Sequence, residues 1–220
     1  MYTPKAFLVD DLATLHADIR RGGLATLVSL TVAGLVATHL PLLLDEADGP
    51  YGTLLGHISL ANTQWKETDP AVEALAIFTG PETYVTPNWY AAKQETGRVV
   101  PTWNYAAIHA YGSLAFFHDA DRLRALVTRL THQYEAAFPN PWQVSDAPAI
   151  YVDSQLKAIV GFEMRITRIE GKRKFNQNRS AQDRQGVIRG LRDLAADGDS
   201  RKSEVADLME EIEPGIRPED

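Results

Sequence analysis

Residues 100–117 form the longest strand-like run in the chain and constrain the segments around them. Ile108, Ala110, Gly112, Leu114 and Phe116 alternate with His109, Tyr111, Ser113, Ala115 and Phe117. Apolar residues on both faces mark a strand buried in the middle of a sheet. Shorter runs of the same period flank it. They cover residues 24–31, 35–44 with Pro41 as an interruption, 51–60, 73–79 and 160–167. Gly80-Pro81 is expected to break the fourth of these, which resumes briefly at Tyr84-Val85. Helical spacing lies mainly towards the two ends. Leu12, Leu15 and Ile19 follow a capping Asp10 or Asp11. Leu123, Leu126, Val127, Leu130 and Tyr134 follow Asp119, and Pro139 stops that helix. Residues 154–158 suit a helical turn, and 183–195 and 203–212 suit helices. With six or seven strands between residues 24 and 169 and no regular strand–helix alternation, the expected fold is mainly β (α+β): an antiparallel β-barrel with peripheral helices. Residues 1–196 are expected to form one domain, followed by an acidic helix and tail over 197–220 whose last residues are disordered.

The chain has 220 residues and no cysteine, which excludes disulfides, thiolate metal sites and a cysteine nucleophile. No apolar run approaches the roughly 20 residues of a membrane span, and Met1-Tyr2-Thr3-Pro4-Lys5 begins no signal peptide. A cytoplasmic protein is expected. Net charge is −7 but unevenly spread. Residues 165–192 hold nine Lys/Arg against two Asp/Glu, whereas residues 193–220 hold three against ten. An acidic body with one basic segment suits a focused anion site better than the extended basic face of a DNA-binding protein. The alternative is that the basic segment and the acidic end neutralise each other.

Dinucleotide, P-loop, zincin and nucleophile-elbow signatures are all absent. His39, His57 and His109 lie on or beside strands at spacings too long to imply a metal site, and polar or partly buried hydrogen-bonding roles suit them better. Two clusters remain. Tyr84, Trp89, Tyr90, Trp103, Tyr105 and Tyr111 crowd residues 84–111. Gly171-Lys172-Arg173-Lys174-Phe175-Asn176-Gln177-Asn178-Arg179-Ser180 packs four cations and several amides into ten residues. Ammonium and guanidinium groups bind phosphate, amides satisfy a ring edge, and Trp and Tyr wall a planar ligand. Together they suit a phosphorylated planar heterocycle.

An ordered set of motifs makes this more specific: Met1-Tyr2-Thr3-Pro4 with Phe7; Thr38-His39-Leu40-Pro41; Leu55-Gly56-His57-Ile58 with Ala61-Asn62 and Trp65; Ile77-Phe78-Thr79-Gly80-Pro81; Tyr84-Val85-Thr86-Pro87-Asn88-Trp89-Tyr90; Val100-Pro101-Thr102-Trp103-Asn104-Tyr105 with His109 and Gly112; and residues 171–179. In these the chain resembles the PaiB-type family of FMN-binding negative transcriptional regulators. The resemblance implies a split β-barrel, a homodimer with FMN near the subunit interface, and a bacterial, cytoplasmic setting. It also implies repression of transcription, for which the charge pattern offers no DNA-binding face. The family usually has an aromatic residue where Arg173 stands and commonly Ser where Asn176 stands. Expected contacts to phosphate or ring are Lys172, Lys174, Gln177 and Asn178. His57, Asn62, Trp103 and Asn104 are expected at the pocket or dimer seam. A flavin-linked regulator is the first reading. A flavin-dependent oxidoreductase is the alternative, and a haem-binding barrel using a histidine is the third.

Overall fold

The computed structural model describes residues 1–196 and 198–212; the last residues, expected to be disordered, lie outside that range. Eight strands form one antiparallel sheet: β1 (Leu8–Val9), β2 (Ala25–Thr31), β3 (Gly34–Leu40), β4 (Leu43–Asp45), β5 (Thr53–Ser59), β6 (Ala74–Val85), β7 (Thr102–Phe117) and β8 (Ile159–Lys174). Their order is β3-β2-β6-β7-β8-β5-β4, with β1 paired to β8. The path ends at β3 and β4, so the sheet is open. This is the expected antiparallel split-barrel class, with β7 in the middle of the order as its two apolar faces require. The helices are α1 (Leu12–Arg21), α2 (Gln64–Glu67), α3 (Ala92–Glu95), α4 (Ala120–Glu135), α5 (Ala149–Leu156), α6 (Ala181–Ala195) and α7 (Ser200–Glu211).

Local signals explain most boundaries. The Asp11 carboxylate accepts from the backbone N–H and hydroxyl of Thr14 and starts α1. Asp119 caps α4 through Arg122 N at 2.9 Å, and Ser180 caps α6 through Asp183 N at 3.2 Å. Pro41 separates β3 from β4. Three expectations need correction. β6 runs unbroken through Gly80-Pro81. Its buried residues change there from even positions (Ala74, Ala76, Phe78) to odd ones (Thr83, Val85). A bulge shifts side-chain phase in this way and tolerates a proline that cannot donate to the ladder. α5 begins at Ala149 rather than near 154, because Pro148 suits the residue before a first helical turn. β8 continues to Lys174, so the first four residues of the cationic segment are strand: Gly171 pairs with Val9 and Lys172 with Leu8.

The chain forms two compact units. The first comprises residues 1–15, 79–108 and 170 onward, the second residues 16–78 and 109–169. In the first, Val85, Tyr90, Phe175, Val187, Leu191, Val205 and Met209 make one core beneath α6 and α7. In the second, Leu126 and Leu130 of α4 pack on Leu43 and Leu55, while Leu123 packs with Val152 and Leu156 of α5.

Candidate functional site

The first unit carries a cationic surface with aromatic rings around it. Residues two apart on a strand share a face, so Trp103 and Tyr105 align on β7 and Lys172 and Lys174 on β8. The Lys172 ammonium donates to the Tyr2 carbonyl at 3.2 Å and stands 5.1 Å from the centre of the Tyr105 ring. The Lys174 ammonium donates to the Thr102 hydroxyl and, at 2.9 Å, to the Trp103 carbonyl. Neither lysine has a carboxylate partner among the described residues. An ammonium has three N–H donors, so each keeps capacity for an anion. Burial pushes the Lys174 pKa down; Tyr105 opposes that shift and the neighbouring Lys172 adds to it. Beside the lysines, Trp103 and Tyr84 meet edge to face at 6.2 Å and are 52% and 48% exposed. Two large rings left half in water are available to a planar ligand.

The amides next to these lysines do different work. Asn176 is the one non-glycine among the described residues with positive φ, at 61°. Asn tolerates that left-handed conformation better than most residues, which gives a local reason for Asn here. Its Nδ2 donates to the Tyr90 hydroxyl at 2.9 Å. Gln177 accepts from Phe175 N at 2.7 Å and donates to the Arg173 carbonyl at 2.5 Å. Both amides are buried and hold the turn that leads β8 into α6. Asn178 is exposed. Asn104 faces the core, fully buried, with Nδ2 3.4 Å from Met209 Sδ. Gly186 and Gly190, four apart on α6, receive Trp89: a Cβ on Gly190 would lie 2.3 Å from its ring.

His57 and Asn62 belong to the second unit. Asn62 donates to Thr38 Oγ1 at 3.0 Å and accepts from Gln64 N at 3.0 Å. It is part of a network in which buried Gln64 also joins Thr38 and Ser29. His57 lines a cleft beside α4, and burial pushes its pKa down. Of the eight sequence-derived candidates, the structure therefore brings three together: Lys174 and Trp103, with the buried Lys172 beside them. Tyr84, Tyr105, Thr102 and the Tyr2 carbonyl join them. Strand parity could have flagged Tyr105; the Tyr2 contact depends on the N-terminal segment and has no local signal. The cations of α6 are partly spent within the protein. Arg192 pairs with Asp207 at 2.6 Å and Glu210 at 3.1 Å. Buried Arg184 donates to the Met209 and Ile212 carbonyls at the end of α7.

The open antiparallel sheet and the lysine–aromatic surface define a split-barrel protein suited to a phosphorylated planar cofactor. The chain belongs to the family described as "Putative FMN-binding domain", which matches residues 1–168. It is 31% identical over 211 residues to "Protease synthase and sporulation protein PAI 2" of Bacillus subtilis, covering 96% of this chain and 97% of that protein. It is 37% identical over 218 residues to the uncharacterized protein AN0679 of Emericella nidulans, covering 84% and 87% of the two chains. Among solved structures, the flavocytochrome Anf3 of Azotobacter vinelandii shares the fold, with a TM-score of 0.57 at 12% identity over 76% of this chain and 69% of that one. The PaiB resemblance holds along nearly the whole chain, and FMN is the cofactor of the family. The donor set fits it: two ammoniums and the Thr102 hydroxyl suit a phosphate, and half-exposed indole and phenol rings suit the flavin ring. No described helix is long and apolar enough to cross a membrane.

Proposed function

We propose that this chain is a flavin-linked regulatory protein of PaiB type that acts as a cytoplasmic homodimer. Its flavin-binding domain is residues 1–196; the acidic residues 197–220 follow, and α7 within them packs into the core of the first unit. Lys172 and Lys174 hold the FMN phosphate, with Trp103 and Tyr84 against the ring. Bound FMN supplies a redox-active ring whose state a regulator can sense. The protein's own residues position the phosphate and fix the turn that follows the lysines. The observation that carries this reading is the pair of carboxylate-free lysines on one strand face beside two half-exposed aromatic rings. Half-exposed rings also suit a dimer seam, where a second subunit covers them. Regulation works through a protein partner or a ligand-dependent change in the dimer rather than a broad DNA face, because Arg184 and Arg192 are engaged by α7.

The test is equilibrium binding of FMN and riboflavin to the purified protein, followed by flavin fluorescence, with sedimentation to give the oligomeric state. FMN binding at least about tenfold tighter than riboflavin, a difference of about 1.4 kcal/mol, supports phosphate recognition. Equal affinities remove the lysines from that role. No FMN binding, and no rise in Tm at saturating FMN, removes the proposal altogether.

A further inference from the structure

The second unit holds a cleft with the opposite chemistry. Two adjoining cavities, about 360 and 330 Å³, share four lining residues: His57 of β5, Val127 and Thr131 of α4, and Trp142 of the loop that follows α4. Each is within the size range of small-molecule sites. Tyr134 lines one and Tyr151 the other. These two rings and Trp142 are 40%, 57% and 46% exposed, which leaves aromatic faces at the rim. The remaining walls are mostly aliphatic, including Val152, Leu156 and Ile159. Among the described residues no lysine or arginine lines either cavity. The one carboxylate, Glu135, is engaged by the backbone N–H of Trp142 at 2.9 Å.

Among the four shared residues His57 is the only titratable one, and its Nδ1 is buried without a hydrogen-bond partner among the described residues. A buried polar atom left unpaired costs about 1–3 kcal/mol, so such an atom beside a cavity points to an incoming partner. Burial also pushes the His57 pKa down, which favours the neutral imidazole. A neutral ring in a cleft whose described lining holds no cation offers an anion no countercharge and suits an uncharged guest with a hydrogen-bonding group.

We propose that the cleft between β5, α4 and α5 is a second small-molecule site, taking an uncharged planar heteroaromatic compound that stacks on Trp142 and hydrogen-bonds to His57. This site shares no residue with the lysine surface of the first unit, so the protein reads two chemically different ligands. The occupant acts as an effector, a role that fits the regulatory reading above but does not depend on FMN binding.

The test is titration of the full chain with indole, following the His57 imidazole nitrogens by NMR, with benzoate as the anionic counterpart. Indole is expected to give saturable shifts at His57 and in α4, and benzoate at least about tenfold weaker ones. His57→Leu should abolish the shifts in α4. Thr131→Leu, which fills the cleft from the helix and leaves the sheet untouched, should weaken them at least about tenfold; it decides the matter should His57→Leu fold poorly. Absence of saturable shifts at His57, indole shifts that survive Thr131→Leu, or benzoate binding as tightly as indole overturns the proposal. A competition with FMN separates the two readings. FMN that displaces indole makes the cleft the flavin site and ends the idea of a second one. FMN that binds without displacing indole supports two sites, and indole binding in a protein that takes no FMN leaves this proposal standing while the flavin reading falls.

Discussion

In sequence, the lysine surface of the first unit and the Asn62–Gln64 network of the other unit have much in common. Each places polar, hydrogen-bonding side chains next to a strand and an aromatic residue. In the structure they are opposites. Lys172 and Lys174 keep donors in reserve beside rings open to solvent. Asn62 and Gln64 are consumed: Gln64 is 1% exposed, accepts from Thr38 at 2.6 Å and donates to Ser29 at 3.0 Å. The first arrangement can bind something, whereas the network holds β2, β3 and α2 together. The same division runs inside the segment 171–180, where the lysines are available and Asn176 and Gln177 brace a turn. A functional polar group is one with hydrogen-bonding capacity left after the fold has taken its share.

Substitutions can test that division. The largest effect is expected at Gln64→Leu, which removes the acceptor of the Thr38 hydroxyl and the donor to Ser29 from a buried network; about 3 kcal/mol of stability should be lost while FMN affinity, measured on the fraction that remains folded, is unchanged. Urea unfolding checks the first half, and a loss of FMN affinity would break the contrast. Next comes Gly190→Ala. The new methyl meets the Trp89 ring at 2.3–2.5 Å, and overpacking of this kind costs about 1–3 kcal/mol. Gly23→Ala, which meets nothing within 4 Å, should stay within about 0.5 kcal/mol, so the two thermal melts form a matched pair. Lys174→Glu should act in the reverse sense to Gln64→Leu: FMN affinity falls roughly 10- to 100-fold, equivalent to one charge-assisted bond, with little change in Tm. A variant that keeps its flavin would place the phosphate elsewhere.

The smallest effect is a pH dependence at His57. Burial holds its folded pKa below the ordinary 6.5. Between that lowered value and 6.5 the unfolded chain binds a proton that the folded chain refuses, so stability falls as pH drops through this window. Above 6.5 both states are neutral and the contribution is flat. His57→Gln should lose stability less steeply on acidification, checked by urea midpoints on either side of 6.5. Parallel slopes for the two proteins would mean that the imidazole protonates as easily folded as unfolded.

Much of the fold was legible because alternation and capping are local. Asp11 and Asp119 each start the helix that their position suggested, and the two-faced run at 100–117 became a middle strand. The errors have local causes too. The Gly80-Pro81 step reads as a break, yet the strand continues through it with its buried positions shifted from even to odd. The cations of 171–174 resemble loop residues, yet β1 pairs with them. For the candidate site, Lys172, Lys174 and Trp103 were legible as residue types, and strand parity places them on common faces. The burial of Asn104 and Gln177 was not legible, because it depends on Met209 far along the chain in one case and on a left-handed turn at Asn176 in the other. The notch for Trp89 left a trace, two glycines four apart in a helix, but not the identity of the ring that fills it.

By itself the sequence determined the strand and helix periods, the uneven charge, the absence of thiol chemistry and membership of an FMN-binding family. These follow from properties that each segment carries alone or in fixed order. Only the tertiary structure decided which polar side chains stay available, since hydrogen-bonding capacity is spent between residues distant in sequence. Lys174 meets Thr102, Asn104 meets Met209 and Gln64 meets Ser29 only once the strands have paired. Among the groups that keep capacity after that pairing are two lysines beside exposed rings and a histidine in a cleft whose described lining holds no cation.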